Sequence, residues 1–381
     1  MPQPISIVAI ASVSAFGASS DKVWQHYRDG VPLFSDVEGT MVSKITSEIE
    51  TELHNLRHLS DRYKNLDRSV LLAILATKKC AEKFEFQSNN IGINIGSSRG
   101  ATGLFEKYHQ DFQQHGRVSP FASPTTTLGN ISSWVAQDLG ADGVCIDHSV
   151  TCSTAMHALL NGMAWLQAEM ADVFLVGGSE AALTPFTIAQ MKALKLYSTS
   201  RHRMACESMR FQKKENTMIL GEGAAVAVLE RGISERTQAV IAGYGIASEK
   251  LEHNSSISEN AECFQKSMRK ALESASVETV DAVILHAPGT IKGDMAEKNA
   301  ITIVFGKQLP LLTSNKWLVG HTFATSGMLS IEMAVLMLQK NKFIENPFFS
   351  NARHLPQKLQ TVLVNAVGFG GNAVSVILKL P

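Results

Sequence analysis

The sequence predicts an α/β protein built from two similar halves, and three observations support this. Short apolar runs typical of buried strands alternate with longer apolar stretches at helical spacing along the chain. The order of these elements in residues 1–235 starts again in residues 236–381, which indicates an internal repeat of two domains with that boundary. In the register of the repeat, Cys152 and His321 hold equivalent places, each at the N-terminus of a central helix. If the halves pack about a pseudo-twofold axis, these two helix starts converge.

The first half alternates strands with helices of increasing apolar character. Its predicted strands span residues 5–14, 90–96, 143–146, 172–178 and 224–229, and its predicted helices span residues 21–28, 61–84 and the stretch after residue 152. The strands are rich in Val and Ile, and the helices carry apolar residues three and four apart. The helix after Cys152 is apolar on almost all sides, which predicts that it is buried. The more polar stretch 102–140 indicates an elaboration on the core.

The second half repeats this order in a shorter chain. Its predicted strands span residues 239–248, 280–285, 361–365 and 373–380, and its helices span residues 260–274 and a buried stretch that begins with the segment 316–321. The strand 280–285 ends at His286, as the strand 90–96 of the first half ends at Gly96. The sequence therefore predicts chemically useful side chains at equivalent strand ends and helix starts.

Composition excludes several functional classes. The 381 residues exceed one ordinary domain, and 35 basic residues balance 35 acidic ones, which argues against a nucleic-acid or membrane-surface binder. The apolar residues 5–16 lack a basic flank and are interrupted by serines, so they predict a strand and not a signal peptide. No apolar run reaches the roughly 18 residues of a membrane span. The five cysteines are scattered without a CxxC pair, which argues against disulfides and structural zinc and favours a reducing cytoplasm.

Cys152 lies between a β-prone run and the apolar helix. The free amides and the positive dipole end of a helix N-terminus both favour a thiolate, which predicts a lowered pKa and a reactive nucleophile. The alternative is a small apolar core cysteine, which is the commoner role of a single cysteine.

Three other segments carry residues suited to catalysis. His286 follows a strand, Lys316 and His321 precede a buried helix, and residues 368–371 form a glycine-rich turn. Each is weak alone, because a lone histidine is usually structural and this turn does not head a phosphate-binding helix. A cysteine, two histidines and a lysine in repeated halves form a stronger signal together.

These motifs resemble those of the elongating β-ketoacyl synthases in the thiolase-fold superfamily of condensing enzymes, and the resemblance runs essentially end to end. It covers Trp24, Cys152 with its helix, and the segments 176–180, 220–224, 286–297, 316–321 and 368–371. The resemblance implies a five-layer αβαβα fold and a homodimer, or a heterodimer with a ketosynthase-like partner. It also implies an acyltransferase that performs decarboxylative Claisen condensation of malonyl units in fatty-acid, polyene or polyketide biosynthesis.

The resemblance also implies roles for individual residues. It assigns catalysis to Cys152 as nucleophile, His286 and His321 as active-site histidines and Lys316 as supporting cation, with Glu297 and Asp294 as supporting acids. It assigns substrate binding to Thr290, Phe369 and Gly370, with Phe369 as a gate, and docking of acyl carrier protein to Arg62, Lys64 and Arg68. A solvated basic face would explain the last three equally well. No metal and no bound cofactor are implied, since the substrates travel on the phosphopantetheine of the carrier.

The chemistry requires these residue types independently of the resemblance. A thiol attacks an acyl thioester and holds the chain covalently. Loss of carbon dioxide from malonyl gives an enolate, which two imidazoles can stabilise without a metal. The backbone amides of Cys152 and Phe369 are the expected oxyanion hole for the thioester intermediates. Both histidines are expected to be dispensable for acylation, because the helix N-terminus is expected to lower the thiol pKa.

The chain departs from the family pattern at three places. The usual His-Gly-Thr-Gly-Thr motif reads His-Ala-Pro-Gly-Thr at residues 286–290, so Pro288 lacks a hydroxyl that binds the phosphopantetheine arm in the family. The usual Phe-Asp…Arg-Asp-Gly-Phe stretch is changed throughout residues 211–218, and Val367 replaces a phenylalanine. These changes indicate a specialised synthase of a polyene or polyketide pathway.

Two other functions stay open. A non-elongating relative would serve as a chain-length partner or a malonyl decarboxylase subunit of a heterodimer, although the retained Cys152 argues against a silent partner. A degradative thiolase uses a second catalytic cysteine near the C-terminus, whereas this chain has no cysteine after Cys263. A pure binding module would not need the Cys-His-His-Lys set.

Overall fold

The computed structural model describes residues 3–86, 90–128, 130–250, 257–352 and 355–381. The strands are β1 Ile5–Val13, β2 Ser35–Val37, β3 Thr40–Val42, β4 Ile91–Gly96, β5 Cys145–Ile146, β6 Val173–Glu180, β7 Gly223–Arg231, β8 Ala239–Ser248, β9 Ala282–Ile284, β10 Leu311–Thr313, β11 Thr361–Gly368 and β12 Asn372–Lys379. The helices are α1 Ser20–Asp29, α2 Ser47–Leu59, α3 Arg68–Ala81, α4 Thr102–His115, α5 Ala122–Thr126, α6 Asn130–Leu139, α7 Thr154–Gln167, α8 Pro185–Ala193, α9 Glu262–Ala275, α10 Ile291–Phe305, α11 Lys316–Val319 and α12 Ser326–Gln339. Short 3₁₀ turns span Asp61–Tyr63, Thr151–Ser153 and Phe323–Thr325.

Ten strands form a mixed sheet that consists of two equivalent halves. The strand order is β5-β4-β6-β7-β1 in the first half and β10-β9-β11-β12-β8 in the second. Strands at matching places pair in the same sense, parallel on the outer side and antiparallel towards the junction. The halves join through the short antiparallel pairing of β1 with β8. The predicted repeat of pseudo-symmetric halves is confirmed, whereas the domain boundary between residues 235 and 236 stays a prediction.

The helices complete five layers. Helix α3 packs on the outer face of the first half-sheet, against β1 and β7, and α9 packs on the outer face of the second, against β8 and β12. Helices α7 and α12 contact each other and the inner faces of both half-sheets. The largest apolar cluster fills this central layer, and two further clusters lie under α3 and α9. This arrangement confirms the five-layer αβαβα fold.

The two central helices differ in burial. Every residue of α12 from Ser326 to Leu338 is buried. Helix α7, by contrast, exposes Ala164 and Gln167 and leaves Trp165 partly exposed. The prediction that α7 is buried on almost all sides is therefore wrong for one of its faces.

The predicted helix over residues 61–84 is also wrong at its start. Residues 61–63 form a 3₁₀ turn, and α3 begins only at Arg68. Asp67 caps α3 because its carboxylate accepts the N–H of Ser69 at 2.8 Å, which satisfies a free donor of the first turn. The polar stretch 102–140 contains the helices α4, α5 and α6. Within the described residues, no helix has the length and apolar character needed to cross a bilayer.

Candidate active site

A strained turn presents Cys152. Thr151 has a positive φ of 49°, a conformation that is costly for a threonine and that concentrates at functional sites. Thr154 holds this turn, because its hydroxyl donates to the carbonyl of Thr151 at 2.6 Å and accepts the N–H of Val150 at 2.9 Å. Cys152 follows the strained residue, is 5% exposed and lines a cavity.

The glycine-rich turn lies directly against the Cys152 turn. A Cβ atom on Gly368 would lie 2.2 Å from Oγ1 of Thr151, so only glycine fits at this approach. The hydroxyl of Ser153 donates to the carbonyl of Asn372 at 3.1 Å across the same contact. Phe369 and Gly370 consequently line the same cavity as Cys152. The use of the Cys152 and Phe369 amides as an oxyanion hole stays a prediction.

His321 is the nearest polar partner of the thiol. Its Nε2 lies 3.1 Å from Sγ of Cys152, and its Nδ1 lies 3.1 Å from Oγ of Ser326. The N–H of Thr322 donates to the same hydroxyl at 3.0 Å, which fixes the ring between the thiol and the start of α12. The sequence analysis did not predict this role of Ser326. The one feature that could have indicated it is a hydroxyl residue at the start of a helix.

His286 completes a compact group with Cys152 and His321. The two imidazole rings are nearly perpendicular, with centroids 5.2 Å apart. One ligand-type atom from each of the three residues lies within 4.8 Å of the others. Thiolate and imidazole are zinc ligands, so among the described residues these three are a group that could hold a metal ion. The same three groups form the nucleophile and donor pair that the resemblance implies.

The two supporting acids hold the backbone of the His286 loop. Glu297 accepts the N–H groups of His286 and Ala287, both at 2.9 Å. Asp294 accepts the N–H groups of Gly289 at 3.0 Å and Thr290 at 3.1 Å. Both carboxylates are buried, and burial raises the pKa of Glu297 to about 7. These acids therefore position the loop that carries His286.

Lys316 is a buried cation beside this group. It is 1% exposed, and its Nζ donates to Oδ1 of Asn315 at 3.0 Å. Burial lowers the pKa of Lys316 to about 8, while the negative charge of Glu297 opposes that shift. Its influence on the histidines and the thiol is electrostatic, since the contacts described for Lys316 include no hydrogen bond to any of them.

Burial keeps the histidines and the thiol neutral in the resting site. Burial and the charge of Lys316 lower the pKa of His321 to about 3, and burial with the neighbouring His321 lowers the pKa of His286 well below its usual value. Burial, aided by the charge of Glu180, raises the pKa of Cys152 to about 12. The lowered thiol pKa expected from the helix N-terminus is therefore wrong, because desolvation outweighs the amides and Lys316.

The cavity has a volume of about 370 Å³ and joins the catalytic group to the surface. The predicted substrate-binding residues Thr290, Phe369 and Gly370 all line it, as does Pro288. An apolar wall, missed in the sequence analysis, consists of Met191, Leu194, Leu196, Met218 and Phe323. Sequence patterns do not single out this wall, because Met218 and Phe323 join residues 191–196 from distant segments of the chain.

The three predicted docking residues lie outside the cavity in different environments. Arg62 lies over the ring of Tyr63, 5.6 Å from its centroid, and Lys64 pairs with Asp61 at 2.5 Å. Arg68 lies between two carboxylates, those of Glu50 at 2.6 Å and Glu222 at 2.8 Å. Arg62 and Lys64 are exposed, whereas Arg68 is only partly exposed. Lys64 and Arg68 are both paired with carboxylates.

Comparison with known proteins identifies the family. The family model for the N-terminal domain of β-ketoacyl synthases matches residues 2–233, and the model for the C-terminal domain matches residues 238–349. The chain is 27% identical to 3-oxoacyl-[acyl-carrier-protein] synthase 2 of Staphylococcus aureus and 26% identical to the protein of that name from Coxiella burnetii. Each of these alignments covers 98% of both chains.

Solved structures show the same fold at lower identity. A type II polyketide ketosynthase in complex with its acyl-carrier protein has a TM-score of 0.86 at 17% identity, with 100% of both chains covered. A β-ketoacyl synthase from Burkholderia phymatum has a TM-score of 0.83 at 19% identity, again covering 100% of both chains. A ketosynthase in complex with its chain length factor from Xenorhabdus doucetiae has a TM-score of 0.82 at 21% identity, covering 100% of this chain and 98% of that one. The family models, matched over most of the sequence, establish that this chain belongs to the β-ketoacyl synthases, acyltransferases of the thiolase fold.

Proposed function

We propose that the chain condenses malonyl units with an acyl group held on Cys152, with both substrates carried on the phosphopantetheine of an acyl carrier protein. The single observation that carries the proposal is the neutral Cys152, His286 and His321 group in one buried cavity. A nucleophile and two N–H donors that share a site can hold the acyl chain and stabilise an enolate next to it.

In the first step, Sγ of Cys152 attacks the thioester carbonyl of the acyl carrier. A carbon–sulfur bond to Cys152 forms, the bond to the phosphopantetheine sulfur breaks, and the leaving thiolate takes up the proton that Cys152 gives up. Because burial raises the pKa of Cys152 to about 12, the thiol needs a proton acceptor at the moment of attack. Nε2 of His321, at 3.1 Å, is the acceptor within reach.

In the second step, the malonyl carboxylate leaves as carbon dioxide and its electron pair forms an enolate. The neutral imidazoles of His286 and His321 donate N–H groups to the enolate oxygen, which is the type of stabilisation worth a factor of about 100 to 1,000 per donor. For this step His321 carries its proton on Nε2 while its Nδ1 accepts from the Ser326 hydroxyl, which is the opposite tautomer to the one that accepts the thiol proton. The enolate carbon then attacks the acyl group on Cys152, a carbon–carbon bond forms, and the thiolate leaves and is reprotonated. The charge of Lys316 favours the negative intermediate.

The carrier and a partner subunit follow from the same proposal. The exposed Arg62 and Lys64 supply positive charge for an acidic carrier protein. The open face of α7 and the exposed Phe105, Phe112 and Phe121 of the α4–α5 region form apolar surface suited to a second subunit, identical or ketosynthase-like. Residues 1–235 would supply the nucleophile, and residues 236–381 would supply the histidines and the lysine. The predicted compartment stays the cytoplasm.

The alternative is a chain-length partner or a malonyl decarboxylase subunit in a heterodimer. The buried contact between Cys152 and His321 favours a working nucleophile, since a subunit that only decarboxylates has no need of it.

Intact-mass spectrometry separates these functions. The protein is incubated first with acyl carrier thioester and then with malonyl carrier. A β-ketoacyl synthase gains the acyl mass at Cys152 and releases it as β-ketoacyl carrier when malonyl is added. Carbon dioxide release without acyl-enzyme would show the decarboxylase, and condensation that needs no malonyl group would show a thiolase.

Reversal of Arg62 and Lys64 to glutamate tests the docking surface. We expect a higher KM for carrier-borne substrates and a smaller change for short thioester mimics. An unchanged carrier KM would assign both residues to solubility.

A further inference from the structure

The two main departures from the family pattern contact each other at the wall of the cavity, which Asn216, Met218 and Pro288 line. One is residues 211–218, and the other is the Pro288 region of the His286 loop. The N–H and the hydroxyl of Thr217 both donate to the carbonyl of Gly289, at 2.8 and 2.9 Å. The side-chain oxygen of Asn216 accepts the N–H of Ile291 at 2.8 Å. These contacts join the changed segment to the changed loop.

A buried ion pair anchors this contact. Nζ of Lys213 donates to Oδ2 of Asp294 at 2.8 Å, and the two side chains are 1% and 0% exposed. The same carboxylate accepts the N–H of Met209 at 3.0 Å. Its other oxygen accepts the N–H groups of Gly289 and Thr290, so one carboxylate connects Lys213 with the backbone of the His286 loop.

The ion pair keeps the carboxylate available for the loop. Burial alone raises the pKa of Asp294, and the positive charge of Lys213 opposes that rise. A buried carboxylate without its cation is strongly unfavourable and takes up a proton, which leaves a weaker acceptor for the two loop amides. The neighbouring Lys214 is exposed, whereas Lys213 is buried. The pairing with Asp294 therefore depends on the position of Lys213 in the chain.

We propose that Lys213 is a positioning residue, which acts through Asp294 to set the wall of the channel that receives the phosphopantetheine arm. The proposal rests on the proposed function, because it assigns Pro288 and Thr290 to the wall that the arm contacts. Thr217 supports the same wall through Gly289, next to the position where Pro288 lacks the family hydroxyl. Loss of the anchor therefore acts on the binding of long pantetheine substrates more than on the chemistry at Cys152.

The test compares Lys213→Met with the matched control Lys214→Met in the full-length protein. KM and kcat are measured with malonyl-pantetheine, and the rate of Cys152 acylation is measured with a short N-acetylcysteamine thioester. We expect Lys213→Met to raise the KM for malonyl-pantetheine about tenfold or more, with kcat and the short-thioester acylation rate changed less than threefold. Lys214→Met should match the wild type, and Lys213→Arg should restore most of the lost affinity.

A second variant covers the case in which Lys213→Met does not fold. Thr217→Val removes one hydroxyl donor to Gly289 and keeps the N–H donor, so we expect a smaller rise of the same KM. An unchanged KM in both folded variants, or an equal loss in KM, kcat and acylation, overturns the proposal. Failure of the wild type to acylate Cys152 or to release carbon dioxide would instead overturn the proposed function.

Discussion

The turns that precede α7 and α12 hold equivalent places in the two halves, yet they carry different chemistry and different surroundings. Each is a 3₁₀ turn with one residue at positive φ, Thr151 at 49° and Phe323 at 44°, and each leads into a helix of 14 residues. The first turn carries the thiol of Cys152, whereas the equivalent residue of the second turn is Ala324, and His321 lies three residues before it. The predicted equivalence of Cys152 and His321 is therefore wrong by three residues. The helix of the second turn is enclosed on all sides, whereas the helix of the first has an open face.

The repeat therefore sets the backbone geometry of the two turns, and the side chains that the turns carry decide their function. The two similar turns bring the starts of α7 and α12 together. As a result, Sγ of Cys152 lies 3.1 Å from Nε2 of His321, although the two residues are 169 positions apart in the chain. Because the side chains differ, the first half supplies the nucleophile and the second half supplies the histidine N–H donors. The following experiments separate the two contributions.

The largest effect is expected from removal of the nucleophile. Cys152→Gln should form no acyl-enzyme and no β-ketoacyl product, because no thiol remains to hold the chain. Carbon dioxide release from malonyl carrier should persist, since both histidines are intact. Intact mass and carbon dioxide release are measured on the same sample. Loss of decarboxylation in this variant would show that the two halves do not divide the chemistry as proposed.

Variants of His286 and His321 should show whether the histidine that contacts the thiol has a role in acylation that the other lacks. His286→Ala and His321→Ala should each lower decarboxylation by a factor of about 100 to 1,000. His286→Ala should still acylate Cys152 at close to the wild-type rate, whereas His321→Ala should acylate slowly. The revised expectation for His321 follows from the raised thiol pKa, which makes a nearby proton acceptor necessary. Equal acylation by both variants would contradict this role.

A charge placed on the open face of α7 tests whether this face contacts a second subunit. The enclosed helix α12 offers no such position. Ala164→Arg places a cation on that face, and we expect the dissociation constant of the dimer to rise at least about tenfold, because burial of an unpaired charge exceeds 1.4 kcal/mol. Light scattering after size exclusion measures the mass. Asn55→Arg, on the exposed side of α2, is the control. A dimer that tolerates Ala164→Arg would place the subunit contact elsewhere.

The pH dependence should report Lys316, which belongs to the half that carries the histidines. Its pKa is lowered to about 8, so the side chain is charged below that pH and neutral above it. We expect decarboxylation to fall roughly tenfold for each pH unit above 8, provided that only the cation is active. Lys316→Arg keeps its charge at higher pH and should extend the plateau upwards. A wild-type rate that stays flat to pH 10 would exclude this contribution of Lys316.

The smallest effect is expected at Pro288. Pro288→Thr restores the missing hydroxyl and should lower the KM for pantetheine substrates by up to about tenfold, the effect of one hydrogen bond of 1.4 kcal/mol. Ala287 and Gly289 on either side have positive φ angles of 20° and 93°, so the turn is already constrained. Collapse of activity would mean that Pro288 shapes the backbone of this turn and that the hydroxyl is irrelevant.

Local sequence patterns were sufficient to predict most element types, the repeat and the reactive side chains. Apolar periodicity, the strand ends before His286 and Gly96, and the helix start at Cys152 are local features, and local sequence encodes them directly. The sequence did not reveal that α3 begins at Arg68, because capping by a single Asp67 is a weak sequence signal. It also did not reveal the helices of residues 102–140, because these helices are polar and have weak apolar periodicity.

The electrostatics of the site and the contacts that support it depend on the tertiary structure. The helix start predicted a lowered thiol pKa, but complete burial reversed the direction, and burial is a property of the whole fold. The pairing of Lys213 with Asp294 joins segments 81 residues apart that share no periodic relation. Such contacts follow from the way in which distant segments pack, and a single sequence carries no local pattern for them.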